Sequence, residues 1–279
     1  MTCLIVEGGG FKTGFTSGVL DAFQAANYRD FDMYLGVSGG SITTSYFLSQ
    51  QYRQCLRAIR LLAEDKMFMQ FTRTFGAEGY MNIDYLKSVA EQKVPLDLDL
   101  AIAAAKKAQV YFVATNRTNG QAAYLQPNRE SWLDILIASS TLPFVTKGKH
   151  NIHGVEYFDG GWSDPLPAKW AYEQGAKRIL VIRTNPAERK STQSLADYFG
   201  SYFYNDNQHL RAAFANCHLF YNEAVEFILS PPDDLIIEQI SPIKDLKSTT
   251  YTYTSKTIMS DYRYGLDQGI QYVQKVREN

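Results

Sequence analysis

Twice within the first fifty residues a short apolar run stops at a cluster of glycines and gives way to helical periodicity. The first run, residues 2–7, meets Gly8-Gly9-Gly10, and the second, residues 31–37, meets Ser38-Gly39-Gly40. Apolar runs of that length suit buried strands, and glycine marks where such an element ends. After the first run, Phe15, Val19, Leu20 and Phe23 recur on one face of a helix that extends to about residue 27. After the second, a helix is predicted over 41–52. Strands alternating this closely with helices must run parallel, because each helix carries the chain back to the same end of the sheet. The expectation is a mostly parallel sheet with helices packed over it.

The rest of the chain extends the pattern. Strands are predicted over 110–115 and 122–125 about a hairpin signal at Asn119-Gly120, then over 155–158, 178–183 and 235–240. Helices are predicted over 82–92, 132–140, 167–174, up to about residue 229, and from about residue 260. Residues 53–80 read as mixed helix and loop, with Phe68, Met69, Phe71 and Phe75 clustered, either a lid or plain core. With 279 residues and no linker, repeat or low-complexity tract, the simplest account is one domain over 1–279.

Gly36-Val37-Ser38-Gly39-Gly40 matches G-x-S-x-G at the place where a strand should end and a helix begin. A serine on so tight a turn needs small neighbours two residues away on each side, and Gly36 and Gly40 supply them. The helix that follows points its first amides at the hydroxyl and favours negative charge there. Ser38 is therefore the candidate nucleophile.

The loop Gly8-Gly9-Gly10-Phe11-Lys12-Thr13-Gly14 fails two phosphate-binding patterns. A dinucleotide loop needs glycine in its sixth place, where Thr13 stands, and a P-loop needs Gly-Lys-Ser/Thr at its end. The alternative is an oxyanion hole in acyl transfer: the amides of Gly9, Gly10 and Gly39 as donors to the former carbonyl oxygen, each contributing ~3 kcal/mol. Lys12 either adds positive charge near the oxyanion or a lipid phosphate, or is a solvated loop lysine.

A serine nucleophile needs a base. None of His150, His153, His209 and His218 lies in a motif; the first two flank a turn where exposure is the default, and the others lie in an aromatic helical stretch. Asp159 ends a predicted strand ahead of Gly160-Gly161, a setting like that of Ser38, although an aspartate there also caps turns.

These residues resemble the patatin family of lipid acyl hydrolases: the loop Gly8 to Gly14, the serine motif and Asp159-Gly160-Gly161, in that order. Further likeness to bacterial patatin-like phospholipases lies in Ala138-Ser139-Ser140-Thr141-Leu142-Pro143, in Asp164-Pro165-Leu166-Pro167 and in Tyr262-Arg263-Tyr264-Gly265-Leu266. The resemblance implies a three-layer α/β/α fold, a catalytic Ser38–Asp159 dyad without histidine, and an oxyanion loop of Gly9, Gly10 and Gly39. The departure is at Lys12-Thr13, where the family usually has arginine and then glycine; lysine keeps the charge and loses the planar fork. Two other readings stand beside it: an α/β-hydrolase triad using His209 or His218, and a dormant lipid-binding or regulatory protein.

Composition bounds the partners. A formal net charge of -1 and the absence of a basic arm give no reason to expect nucleic acid. Three scattered cysteines, Cys3, Cys55 and Cys217, form no metal motif and read as buried apolar residues in a reducing compartment. No metal or other cofactor is expected. The expected partner is a lipid or acyl ester, and the expected location is the cytoplasm with peripheral contact at a membrane surface, because the amino terminus reads as no signal peptide.

Overall fold

In the computed structural model, which describes residues 1–70, 80–143, 145–146, 149–192, 207–250 and 252–278, the strands are β1 Thr2–Val6, β2 Met33–Val37, β3 Gln109–Asn116, β4 Ala122–Leu125, β5 His150–Ile152, β6 Val155–Asp159, β7 Arg178–Ile182 and β8 Ile236–Ile240. Successive side chains on a strand point to opposite faces, and this alternation sorts the core into two layers. Leu4 and Val6 of β1, Tyr34 of β2 and Leu180 of β7 enter one cluster, while Cys3, Ile5, Leu35 and Val181 enter the other. A sheet apolar on both faces must be covered on both.

The first face is covered by helices α1 Thr13–Ala25, α2 Gly39–Leu48, α3 Gln54–Glu64, α4 Ile83–Ser88, α5 Leu98–Ala105 and α6 Trp132–Ser139. The second is covered by α7 Ala168–Glu173 and α8 Gln208–Leu229, through Ala168, Ala171, Val225 and Ile228. The last helix, α9 Ser255–Glu278, returns to the first face and lies along α1. That approach is close: a Cβ on Gly265 would stand 1.9 Å from the Phe15 carbonyl oxygen, and one on Gly18 2.1 Å from that of Tyr262. The result is a mixed eight-stranded sheet between helical layers, which the strand–helix alternation predicts.

Pairing runs β5-β6-β3-β2-β1-β7-β8, with β4 on β3. β1 pairs in parallel with β2 and β7, β2 with β3, and β7 with β8, while β4, β5 and β6 pair antiparallel. The register on β3 positions the site. Val113 pairs with Val37 on one side and Tyr124 on the other, and Ala114 pairs with Asp159 and Ala123. Because β4 pairs with Phe112 to Thr115, across the point where β2 stops and β6 begins, β2 and β6 must share the opposite edge end to end. The tip of β2, from which Ser38 follows, meets the tip of β6, which is Asp159.

Several boundaries differ from expectation. The helix predicted over 82–92 is α4 followed by a π-helical stretch, Val89–Lys93. Helix α9 starts before residue 260 because the Thr254 hydroxyl caps it, accepting the Thr257 amide at 3.0 Å, where the sequence has no apolar periodicity. Helix α5 and strand β5 were not expected; α5 is capped by Asp97 but alanine-rich, and β5 is three residues long. Within 53–80, α3 puts Leu56, Ile59 and Leu62 into the core, so that part is core; Phe71 and Phe75 lie outside the described residues.

Candidate active site

Ser38 sits between β2 and α2 with φ 56° and ψ −130°, a backbone conformation few non-glycine residues adopt. The packing around it enforces the turn. A Cβ on Gly40 would lie 2.2 Å from the Val6 carbonyl oxygen, and one on Gly36 2.6 Å from the Ser41 Cα. Both obstacles are backbone atoms of the sheet and of α2, so neither can step aside.

Asp159 is 3% exposed. Its Oδ1 accepts the Gly161 amide at 2.8 Å, while its Oδ2 has no hydrogen-bond partner among the described residues. Burial raises its pKa from the ordinary 3.8 to about 6, opposed by the neighbouring Ser38 hydroxyl and the Gly161 amide. The Ser38 side chain therefore lies beside the carboxyl group, where the tips of β2 and β6 meet. Asp164 is also pushed up to about 6 by burial, but the Tyr124 hydroxyl donates to it at 2.6 Å. A perturbed pKa alone does not separate the two; the proximity of Ser38 does.

One segment holds the main chain of both residues, and its residues carried no assigned role. The Ser139 hydroxyl accepts the Ser38 amide at 2.9 Å and donates to the Val113 carbonyl at 2.7 Å. Two residues on, the Thr141 carbonyl accepts the Asp159 amide at 2.8 Å, and the Thr115 hydroxyl donates to the Asp159 carbonyl at 2.8 Å. The signal available beforehand was the Ala-Ser-Ser-Thr-Leu-Pro run closing α6, singled out only as a likeness.

Gly9 and Gly10 take φ 139° and 56°, which L side chains rarely adopt. The amides of Gly9, Gly10 and Gly39 donate to no acceptor among the described residues. Thr13 starts α1 at φ −64° and donates its hydroxyl to the Gly10 carbonyl at 2.6 Å, so this position needs no glycine. Lys12 is not a solvated loop residue: its Nζ donates to Asn185 Oδ1 at 2.7 Å. Behind the loop, buried Glu7 accepts the Thr184 amide at 2.5 Å, the Tyr221 hydroxyl at 2.8 Å and the Asn185 amide group at 3.1 Å, and lies 3.4 Å from the fully buried Arg183 guanidinium.

Ser38, Asp159 and the three glycines line one cavity of about 410 Å³, within the range that accommodates small organic ligands. One end is apolar, walled by Ile42 and Tyr46 of α2, Ile59 and Leu62 of α3, Leu133 and Leu136 of α6, and Phe68, Met81 and Val89. The other end is polar, with Lys12, Asn185, Ser191, His218 and Tyr221. Cys55 also lines the apolar end, and Cys217 lines the cavity half-buried, so it is not the buried core residue expected. His150 is not exposed either; it is half-buried beside Asp134 at 3.3 Å. His209 is exposed and absent from the cavity wall, whereas His218 lines it, its Nδ1 buried and without a partner among the described residues. No helix among the described residues is long and apolar enough to cross a membrane.

The patatin-like phospholipase family model matches residues 4–172, and a model for a domain of unknown function (DUF6363) matches residues 207–279. The uncharacterized protein YjjU of Escherichia coli is 30% identical over 271 residues, spanning 94% of this chain and 74% of that protein. Among solved structures, VipD from Legionella pneumophila is similar at a TM-score of 0.47 and 14% identity, over 98% of this chain and 67% of that one.

Proposed function

This chain belongs to the patatin-like phospholipase family, and we propose that it hydrolyses carboxylic esters of phospholipids or related lipids with Ser38 as nucleophile and Asp159 as base. The observation that carries the reading is the meeting of β2 and β6 on one edge of β3, which sets a strained serine beside a buried carboxyl group.

Ser38 Oγ attacks the ester carbonyl while its proton passes to Asp159. The oxygen that becomes negative is received by the amides of Gly9, Gly10 and Gly39, which have no competing acceptor among the described residues. Collapse expels the alcohol, which takes the proton from Asp159, and leaves an acyl group on Ser38. Water then attacks the acyl-enzyme as Asp159 accepts its proton; collapse breaks the bond to Ser38 Oγ, which takes that proton back from Asp159, and the carboxylic acid leaves. A carboxylate is a weak base in water, and burial that raises its pKa to about 6 brings it nearer the working range of a general base. The apolar end of the cavity suits an acyl chain.

The chain works as one unit over 1–279. α9 packs against α1, and the buried Asp21 of α1 accepts the Tyr262 hydroxyl of α9 at 2.9 Å. The triad reading has no comparable support, because His218 hydrogen-bonds neither Ser38 nor Asp159 and His209 lies outside the cavity wall. A peripheral encounter with a membrane fits a lipid substrate. The test is release of p-nitrophenol from medium-chain esters together with labelling by a fluorophosphonate. Wild type should be active and labelled, and Ser38→Ala neither. Equal rates in the two proteins would remove Ser38 from the mechanism, and an unlabelled, inactive wild type would support the dormant reading.

A further inference from the structure

We propose that the carboxy-terminal segment 207–279 positions the glycine loop for the transition state, with Tyr253 and Tyr221 as its positioning residues. This rests on the acyl-hydrolase reading of the same site, in which that loop receives the oxyanion.

Three consecutive glycines make a poor scaffold. Gly8-Gly9-Gly10 has no side chain with which to pack, and a glycine backbone has more conformational freedom to lose than any other. Within the loop, the Lys12 amide donates to the Gly9 carbonyl at 3.1 Å, and the Thr13 amide and hydroxyl both donate to the Gly10 carbonyl. Donors to an oxyanion lower the barrier only if they are aimed before the charge appears. The loop therefore needs a hold from outside, one that leaves the Gly9 and Gly10 amides free.

The carboxy-terminal segment grips the residues on either side of those amides. Ahead of them, Glu7 accepts the Tyr221 hydroxyl of α8 at 2.8 Å, and the same hydroxyl accepts from Arg183 at 2.8 Å and Asn185 at 3.0 Å. After them comes Phe11, the loop's one large apolar side chain. Its ring stacks on that of Tyr253, with centroids 3.7 Å apart and planes 24° from parallel. Thr250 closes over Gly10, where a Cβ would stand 3.0 Å from the Thr250 Cα. At the start of α1, a Cβ on Gly14 would stand 3.2 Å from the carbonyl oxygen of Ile258 in α9.

The stretch that carries Thr250 and Tyr253 is itself fixed. Buried Asp261 of α9 accepts the Lys247 amide at 3.0 Å and the Ser248 amide at 2.8 Å. The Thr249 amide then donates to the Thr252 carbonyl at 2.9 Å. A buried carboxyl group holding two main-chain amides is a rigid anchor. What separates these contacts from ordinary packing is where they fall: on Glu7, Gly10, Phe11 and Gly14, the residues that bracket the donors.

The test uses the full chain and medium-chain p-nitrophenyl esters. Tyr253→Leu removes the stack and keeps an apolar side chain; it should lower kcat about tenfold or more while KM changes less than about threefold. Tyr221→Phe, which takes the hydroxyl from Glu7, should act in the same sense, and Tyr253→Phe, which keeps the ring, should retain most of the rate. Tyr272→Leu is the control. That ring lies on the same carboxy-terminal helix, against Phe23 and Tyr28 at 5.8 and 5.9 Å, and its loss should lower Tm without moving kcat. Hydrogen exchange read by mass spectrometry follows the loop independently of activity: in Tyr253→Leu the Lys12 and Thr13 amides should exchange about tenfold faster or more. A kcat that neither Tyr253→Leu nor Tyr221→Phe moves, or that Tyr272→Leu lowers as much, would reduce the contacts to packing and overturn the proposal. So would a slowed Tyr253→Leu enzyme whose loop amides exchange as in wild type. Faster loop exchange in Tyr253→Leu, in a chain whose wild type hydrolyses no ester and takes no fluorophosphonate, would uphold the grip on the loop and place the failure in the esterase reading.

Discussion

Replacing Asp159 by asparagine separates what that side chain does for the fold from what it does for the reaction. Burial moves the carboxyl pKa from 3.8 to about 6, so ionised Asp159 is less stable in the native chain than in the unfolded one. The folded-state pKa is the raised one, so the destabilisation is absent below about pH 3.8, grows between the two values and is complete above about 6. At about 1.4 kcal/mol per pH unit, the full effect amounts to about 3 kcal/mol. Asparagine keeps the oxygen that accepts the Gly161 amide at 2.8 Å and carries no titrating proton. The new amide group, placed where Oδ2 has no partner, adds a cost of about 1–3 kcal/mol if it stays unbonded, but that cost does not vary with pH. The stability difference between Asp159→Asn and wild type should therefore shift in favour of the variant by about 2.5 kcal/mol between pH 4 and pH 8. Urea unfolding of both proteins across that range measures it, and ester hydrolysis by the variant should fall by about a thousandfold or more. A stability difference that stays flat with pH, or moves the other way, would refute the claim that Asp159 is ionised at a cost in a dry site.

With Asp159 as the proposed base, kcat/KM of wild type should rise with pH to a plateau, half-maximal near pH 6, and a rate unchanged down to pH 4 would exclude Asp159 from that role. Ser139→Ala strips the Ser38 amide of its acceptor; it should destabilise the chain by about 1–3 kcal/mol and lower kcat more than it raises KM, read from Tm and steady-state kinetics. Gly40→Ala puts a Cβ 2.2 Å from the Val6 carbonyl oxygen and should cost more than about 4 kcal/mol, visible as loss of soluble, cooperatively unfolding protein. Tyr221→Phe leaves Glu7 and Arg183 each one partner short and should destabilise by about 1–3 kcal/mol, measured by urea titration.

Local chemistry made much of this protein legible before its structure. Glycines after two apolar runs, followed by helical spacing, determined parallel strands and helices, because glycine and the periods of 2 and 3.6 act within a few residues. The same local rule singled out Ser38 and the glycines at 36 and 40. Alanine-rich α5, three-residue β5 and the threonine-capped start of α9 stayed hidden, since none carries an apolar period.

What tertiary structure alone decided is how distant residues share one place. Ser38 and Asp159 meet because β2 and β6 divide one edge of β3, and no local pattern states which edge a strand takes. Ser139, Asn185 and Tyr221 joined the site for the same reason: each acts through a hydrogen bond to a residue dozens of positions or more away. Sequence determines the elements because their forces are short-ranged along the chain; the cavity is made by contacts short only in space.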